Sequence, residues 1–178
     1  RQRTLPMRAN TSGSSLSSPR TRSYSASARG KSPASSARTP LKNVAYAYRS
    51  GMVLLESEGG SLRAGIGIGQ TIRELNLATG VAPGSRCASA CALAWLGGTK
   101  RFMSSKSLID FHAAYKVEQG EPRETGAGNA LVGAYLTRLG LPEAAVLYMT
   151  SPSPSEMAWL TPEQAAAVGV NLSVLEVP

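Results

Sequence analysis

The sequence predicts an α/β domain with a mainly parallel sheet and flanking helices. Three observations carry that expectation. The short apolar run Met52–Leu55 is closed by polar residues and then two glycines, as a buried parallel strand is, and Leu108–Phe111 reads as a further strand. Between them lie stretches with helical spacing or helix caps. Strand-like and helix-like segments alternate along the chain, a pattern that builds a parallel sheet through crossover helices. No internal repeat is present.

The domain does not begin at residue 1. Residues 1–42 carry nine Lys or Arg and no Asp or Glu, and Ser, Pro, Arg and Ala dominate. Such a segment cannot bury enough apolar surface to offset its ordering entropy, so residues 1–42 are expected to be a disordered basic leader. Residues 43–178 hold ten basic and eleven acidic residues, so the net charge of +8 belongs to the leader. The folded part is therefore not read as a nucleic-acid-binding domain. Its length suits a single domain. No apolar run is long enough for a membrane span. The leader is acid-poor and Arg-rich like a transit peptide, but it lacks an amphipathic face and the apolar middle of a secretory signal.

The elements are expected in this order. Val44–Tyr48 alternates weakly and reads as a short strand. Met52–Leu55 is a buried strand that ends in a turn at Gly59-Gly60. Ser61 caps a helix over Leu62–Leu77, in which Gly65, Gly67 and Gly69 each cost about 1 kcal/mol against Ala. Glycines kept inside a helix point to close packing against another backbone. Thr79–Ala82 is a strand and Pro83-Gly84-Ser85 a turn. Ser89–Leu96 is the second helix, stopped by Gly97-Gly98. Arg101–Met103 is a strand edge, and Leu108–Phe111 a strand ending at His112. Val117–Gly128 is polar and Gly-rich and reads as a mobile loop. Asn129–Leu139 and Pro142–Met149 are helices, and residues 151–155 a linker. Thr161-Pro162-Glu163-Gln164 fits the cap, first-position proline and acidic turn of a last helix.

Chemistry concentrates at Cys87-Ala88-Ser89-Ala90-Cys91. A serine hydroxyl needs a base within reach, the base needs an orienting acceptor, and the developing oxyanion needs N–H donors. Ser89 stands where a helix begins, among free N–H groups. Ala90 N–H is one oxyanion donor, and Gly59 or Gly60, free of side chains, supplies the other. His112, the one histidine of the chain, is the candidate base. Cys87 and Cys91 share a helix face; a disulfide and two free buried thiols both fit that spacing. With a single distant histidine they do not make a zinc site, and no metal or cofactor is expected. Gly65-x-Gly67-x-Gly69 lacks the spacing of a nucleotide-binding loop. Trp95 and Trp159 read as packing residues.

From Leu54 to Gly169 the chain resembles the Clp protease proteolytic subunit and its ClpP/crotonase-like relatives, in particular their predicted periplasmic branch. Leu55-Glu56-Ser57-Glu58-Gly59-Gly60-Ser61 matches the strand, Ser-Pro-Gly-Gly-Ser turn and helix start, with Glu58 in place of proline. Cys87–Cys91 matches the nucleophile turn, and Gly97-Gly98 with Lys100-Arg101-Phe102 matches the Gly-x-Arg segment after it. Ile109–His112 matches the strand that bears the catalytic histidine. Leu160–Ala165 with Gly169 matches the last helix. The resemblance implies a serine peptidase with Ser89 as nucleophile, His112 as base and Glu156, the carboxylate nearest the family's third position, as orienter; Asn129 is the alternative orienter. It implies a peptide or protein substrate, leaves homo-oligomerisation open, and suggests a periplasmic or secreted location. It also implies one or two strands ahead of Leu54, where this chain has its leader, so the domain is expected to lack them. Two other functions fit the same fold: a non-catalytic module that binds partners, and an acyl-thioester enzyme of the crotonase type.

Overall fold

The structure, a computed structural model, describes residues 23–27 and 51–175. The chain runs β1 (Ser23–Ser27), β2 (Met52–Glu56), α1 (Leu62–Glu74), β3 (Ala78–Val81), β4 (Arg86–Ala88), α2 (Ala90–Leu96), β5 (Arg101–Met103) and β6 (Leu108–Phe111). It continues through β7 (Tyr115–Glu118), β8 (Glu121–Glu124), α3 (Gly126–Arg138), α4 (Glu143–Thr150), β9 (Ala158–Trp159), α5 (Pro162–Ala167) and β10 (Ser173–Val174).

Five strands form one sheet in the order β1–β2–β3–β5–β10, and every neighbouring pair is parallel. A smaller sheet pairs β4 with β6 in parallel and β6 with β9 antiparallel. The two are linked where β2 runs out: Ser57 bridges Cys87, with Ser57 N donating to Arg86 O at 2.9 Å and Ala88 N to Ser57 O at 2.9 Å. The mainly parallel α/β architecture expected from the alternation is present. The core gathers Trp95, Leu96, Met103, Ile109, Phe111, Leu136 and Met149 between the sheets and α2–α4. A smaller cluster of Val53, Ile72 and Leu77 seals β2 against α1.

The glycines of α1 do what interior helix glycines suggest. A Cβ on Gly65 would collide with the Ala90 carbonyl, and one on Gly97 with the backbone of Gly69. So α1 and α2 touch backbone to backbone, and that contact brings the chain after β2 close to the chain after β4. Arg101 closes the far end of α2: its Nε donates to Leu96 O at 2.9 Å and its Nη1 to Asn171 O at 3.3 Å. Burial, and next the nearby charge of Arg73, push this guanidinium down to about 10, so it stays charged at neutral pH. Leu96 O stands at the end of α2, where carbonyls lack intrahelical donors, and Asn171 O comes from the segment between α5 and β10.

Ser23–Ser27 forms a strand along β2; three expectations about other elements are revised. The rest of residues 1–42, the strand expected at Val44–Tyr48 and the domain start at residue 43 lie outside the described residues. Val117–Gly128 is not a loop: β7 and β8 form a hairpin whose turn residues Gln119 (φ 53°) and Gly120 (φ 86°) both take positive φ, as a two-residue hairpin turn requires. The helix expected from Asn129 begins at Gly126, with Thr125 Oγ1 accepting from Gly128 N at 3.4 Å. Pro142 caps α4 from outside rather than filling its first turn. Thr161 closes the expected capping box with Gln164, donating N to Oε1 at 2.9 Å and accepting at Oγ1 at 3.2 Å.

Candidate active site

Ser89 sits at a sharp strand-to-helix turn between β4 and α2. Its φ of 53° and ψ of −116° lie where a residue with a Cβ is strained. Its side chain makes no capping bond to the helix, so the hydroxyl is not spent on α2. The backbone is held instead: Ser89 N donates to Asp110 O at 2.9 Å, and Ser89 O accepts from Leu93 N at 3.1 Å. The strand–turn–helix mount that exposes a nucleophile has this shape.

The two cysteines brace the turn from either side. Cys87 and Cys91 are joined, with Sγ–Sγ at 2.02 Å and Cα atoms 5.1 Å apart, which decides between the two states the spacing allowed. Both are buried, and neither sulfur is a free thiol. The bond closes a loop with a sequence separation of 4 around Ser89. For so short a loop the chain-entropy contribution is about 2 kcal/mol. A dithiol reductant should therefore lower the thermal midpoint of the wild type by several degrees. A Cys87→Ala/Cys91→Ala double variant should start from the lower value and not respond to the reductant.

A cavity of about 230 Å³ opens beside the turn. Ser89, Ala90, Gly60, Ser61 and His112 form its polar side; Leu62, Leu93, Phe111, Val132 and Met149 form its apolar side. Tyr115 and Val117 of the hairpin border it and are exposed. Thus Ser89 and His112, separated along the chain, face one space. Gly59 packs against the turn itself: a Cβ there would lie 2.9 Å from Ala88 O and 2.9 Å from Ser89 Cβ, and its φ is 98°. Glycine is required at that contact. Gly59 N donates to Ser57 Oγ at 3.2 Å, so its N–H is already engaged. Gly60 lines the cavity.

His112 Nδ1 lies 2.8 Å from Ala113 O. A carbonyl only accepts, so Nδ1 carries a proton; in the neutral ring Nε2 then keeps its lone pair, the tautomer a general base needs. The ring also leans on Tyr115, centroid to centroid 5.4 Å. Glu156 does not line the cavity. It is exposed, and its carboxylate accepts from Ser153 N at 3.1 Å within its own turn. Asn129 is also committed, accepting from Ala114 N at 2.7 Å and donating to Glu124 at 2.6 Å. Neither residue is bonded to His112; the Ala113 carbonyl holds the ring.

Two residues absent from the sequence expectations stand next to the site. Asp110 is fully buried, and its Oδ2 accepts from both Nε and Nη2 of Arg86 at 3.2 Å. Its Oδ1 has no hydrogen-bond partner among the described residues. Arg86 also pairs with Glu58 at 3.1 Å and lies over the Trp159 ring at 5.1 Å. Trp95, by contrast, is core, with Nε1 donating to Phe102 O at 3.1 Å.

No family model and no curated protein matches the sequence. Solved structures do match. A serine-to-alanine mutant of the membrane-bound stomatin-specific protease 1510-N aligns with a TM-score of 0.61 at 19% identity, over 79% of this chain and 72% of that one. A lysine-to-alanine mutant of the same protease, in complex with a substrate peptide, aligns with a TM-score of 0.63 at 20% identity, over 88% of this chain and 75% of that one. At that identity the likeness is one of fold. The chain shares its fold with this protease.

Proposed function

We propose that the protein is a serine peptidase in which Ser89 is the nucleophile and His112 the general base. The observation that supports this most is Ser89, strained at its turn with an uncommitted hydroxyl, facing the same cavity as a histidine whose proton is fixed on Nδ1. In the first step His112 Nε2 takes the Oγ proton as Oγ attacks the peptide carbonyl carbon. The carbonyl electron pair becomes an oxyanion, received by the N–H groups of Gly60 and Ala90. The imidazolium then gives its proton to the departing amine as the C–N bond breaks. Water, deprotonated by His112, releases the acyl group from Oγ. Ala113 O does for the ring what Glu156 was expected to do, holding it by one hydrogen bond without a countercharge.

Several features favour a peptidase over the other two functions. The neighbour of the same fold is a protease, solved in one of its two structures with a substrate peptide bound. One of those structures carries a lysine-to-alanine mutation, but among the described residues no lysine lines this cavity and His112 does. Acyl-thioester chemistry uses two oxyanion amides but does not require a serine and a histidine across one cavity. A disulfide beside the proposed nucleophile favours an oxidising compartment for the active form. The test is labelling with a fluorophosphonate probe. Wild type should be labelled on the peptide that contains Ser89. A protein shown to be folded by circular dichroism yet left unlabelled would end the proposal.

A further inference from the structure

Arg86 reaches three segments at once. Its Nη1 meets Glu58, the residue directly before Gly59-Gly60. Its Nε and Nη2 meet Asp110, whose carbonyl holds Ser89 N and which lies two residues before His112. Its own carbonyl accepts from Ser57 N at 2.9 Å, and β4 carries the chain from Arg86 into Ser89. Resting on the peptidase mechanism above, we propose that Arg86 is a positioning residue: it ties the Glu58-Gly59-Gly60 loop to the Ser89 turn and the His112 strand, setting where Gly60 N–H points.

The reason is geometric. Gly59 lies directly on the Ser89 turn, so the loop has little room to drift inward. Outward drift is opposed by the ion pair to Glu58. A misplacement of about 1 Å at a catalytic group can cost on the order of a hundredfold in rate. Glu58 is 76% exposed, so its ion pair contributes little to folding. That separates loop position from stability. A lysine at position 86 can answer the buried Asp110 but cannot fork to Glu58 as well.

Wild type, Glu58→Gln, Arg86→Lys and the double variant are assayed on a fluorogenic peptide, with unfolding followed in parallel. Glu58→Gln and Arg86→Lys should each lower kcat about threefold to tenfold, with KM within about twofold of wild type. The double variant should be no slower than the slower single variant, because both remove one contact. If Arg86→Lys fails to fold, Glu58→Gln decides alone. Active wild type with both folded variants at the wild-type kcat would overturn the positioning role and leave the peptidase intact. A raised KM at unchanged kcat would also overturn it, since Arg86 would then act on substrate binding. An inert, folded wild type would remove the peptidase and this role together.

Discussion

Ser89→Ala is expected to lower kcat for peptide hydrolysis at least about ten-thousand-fold, the size of effect seen when a serine nucleophile is removed from a working triad. The fold should not notice. The hydroxyl makes no capping bond, and the contacts that hold residue 89 run through its backbone to Asp110 and Leu93. Alanine keeps the same Cβ at the same φ, so the strain is unchanged. Stability should stay within about 0.5 kcal/mol, as for substitutions that remove no partner. His112→Gln should cost a similar loss of turnover, and the double variant little more, because nucleophile and base act as one unit. Steady-state kinetics with thermal melts on the same samples checks all three. Full activity in folded Ser89→Ala would place the chemistry on another residue.

The second large effect is on stability. Arg86→Ala should destabilise the domain by about 3 kcal/mol, on the order of 10 °C in thermal midpoint. Asp110 is fully buried, Arg86 answers its Oδ2, and its Oδ1 has no partner among the described residues. Removing the guanidinium leaves a buried carboxylate without its cation. The value lies at the low end of the range for a broken buried pair because the Arg86 side chain is 32% exposed and water reaches it. Adding Asp110→Asn to Arg86→Ala should return part of the loss, since a neutral amide is cheaper to bury than a charge. Chemical denaturation of wild type, Arg86→Ala and the double variant measures this. No recovery in the double variant would mean that Arg86 stabilises through Trp159 and its aliphatic stem rather than through Asp110.

What could be read from the sequence follows from how local the signal was. The Gly59-Gly60 turn, the Ser89 turn and the close-packed glycines of α1 were legible because each needs small residues at fixed places. The position of His112 at the cavity was suggested by its being the one histidine of the chain and following strand β6. The hairpin β7–β8 was hidden because all eight of its strand residues are exposed, so no buried face imposes alternation. Strand β1 was hidden because Ser-Tyr-Ser-Ala-Ser lies inside a Ser-, Arg- and Pro-rich stretch without large aliphatic residues. Arg86 and Asp110 meet across 24 residues, brought together only by the β4–β6 register. Glu156 was chosen as the nearest carboxylate in a run of Ser and Pro, and the turn at Ser153 uses it instead. The orienting acceptor for His112 is a backbone carbonyl, which every residue has and no sequence can mark.

The most direct measurement is a crystal structure of wild type after reaction with a fluorophosphonate. The phosphorus should be bonded to Ser89 Oγ, with a phosphonyl oxygen about 3 Å from the N–H groups of both Gly60 and Ala90, and with His112 Nε2 beside the adduct. An adduct on another residue, or one whose oxygen points away from both amides, would contradict the account.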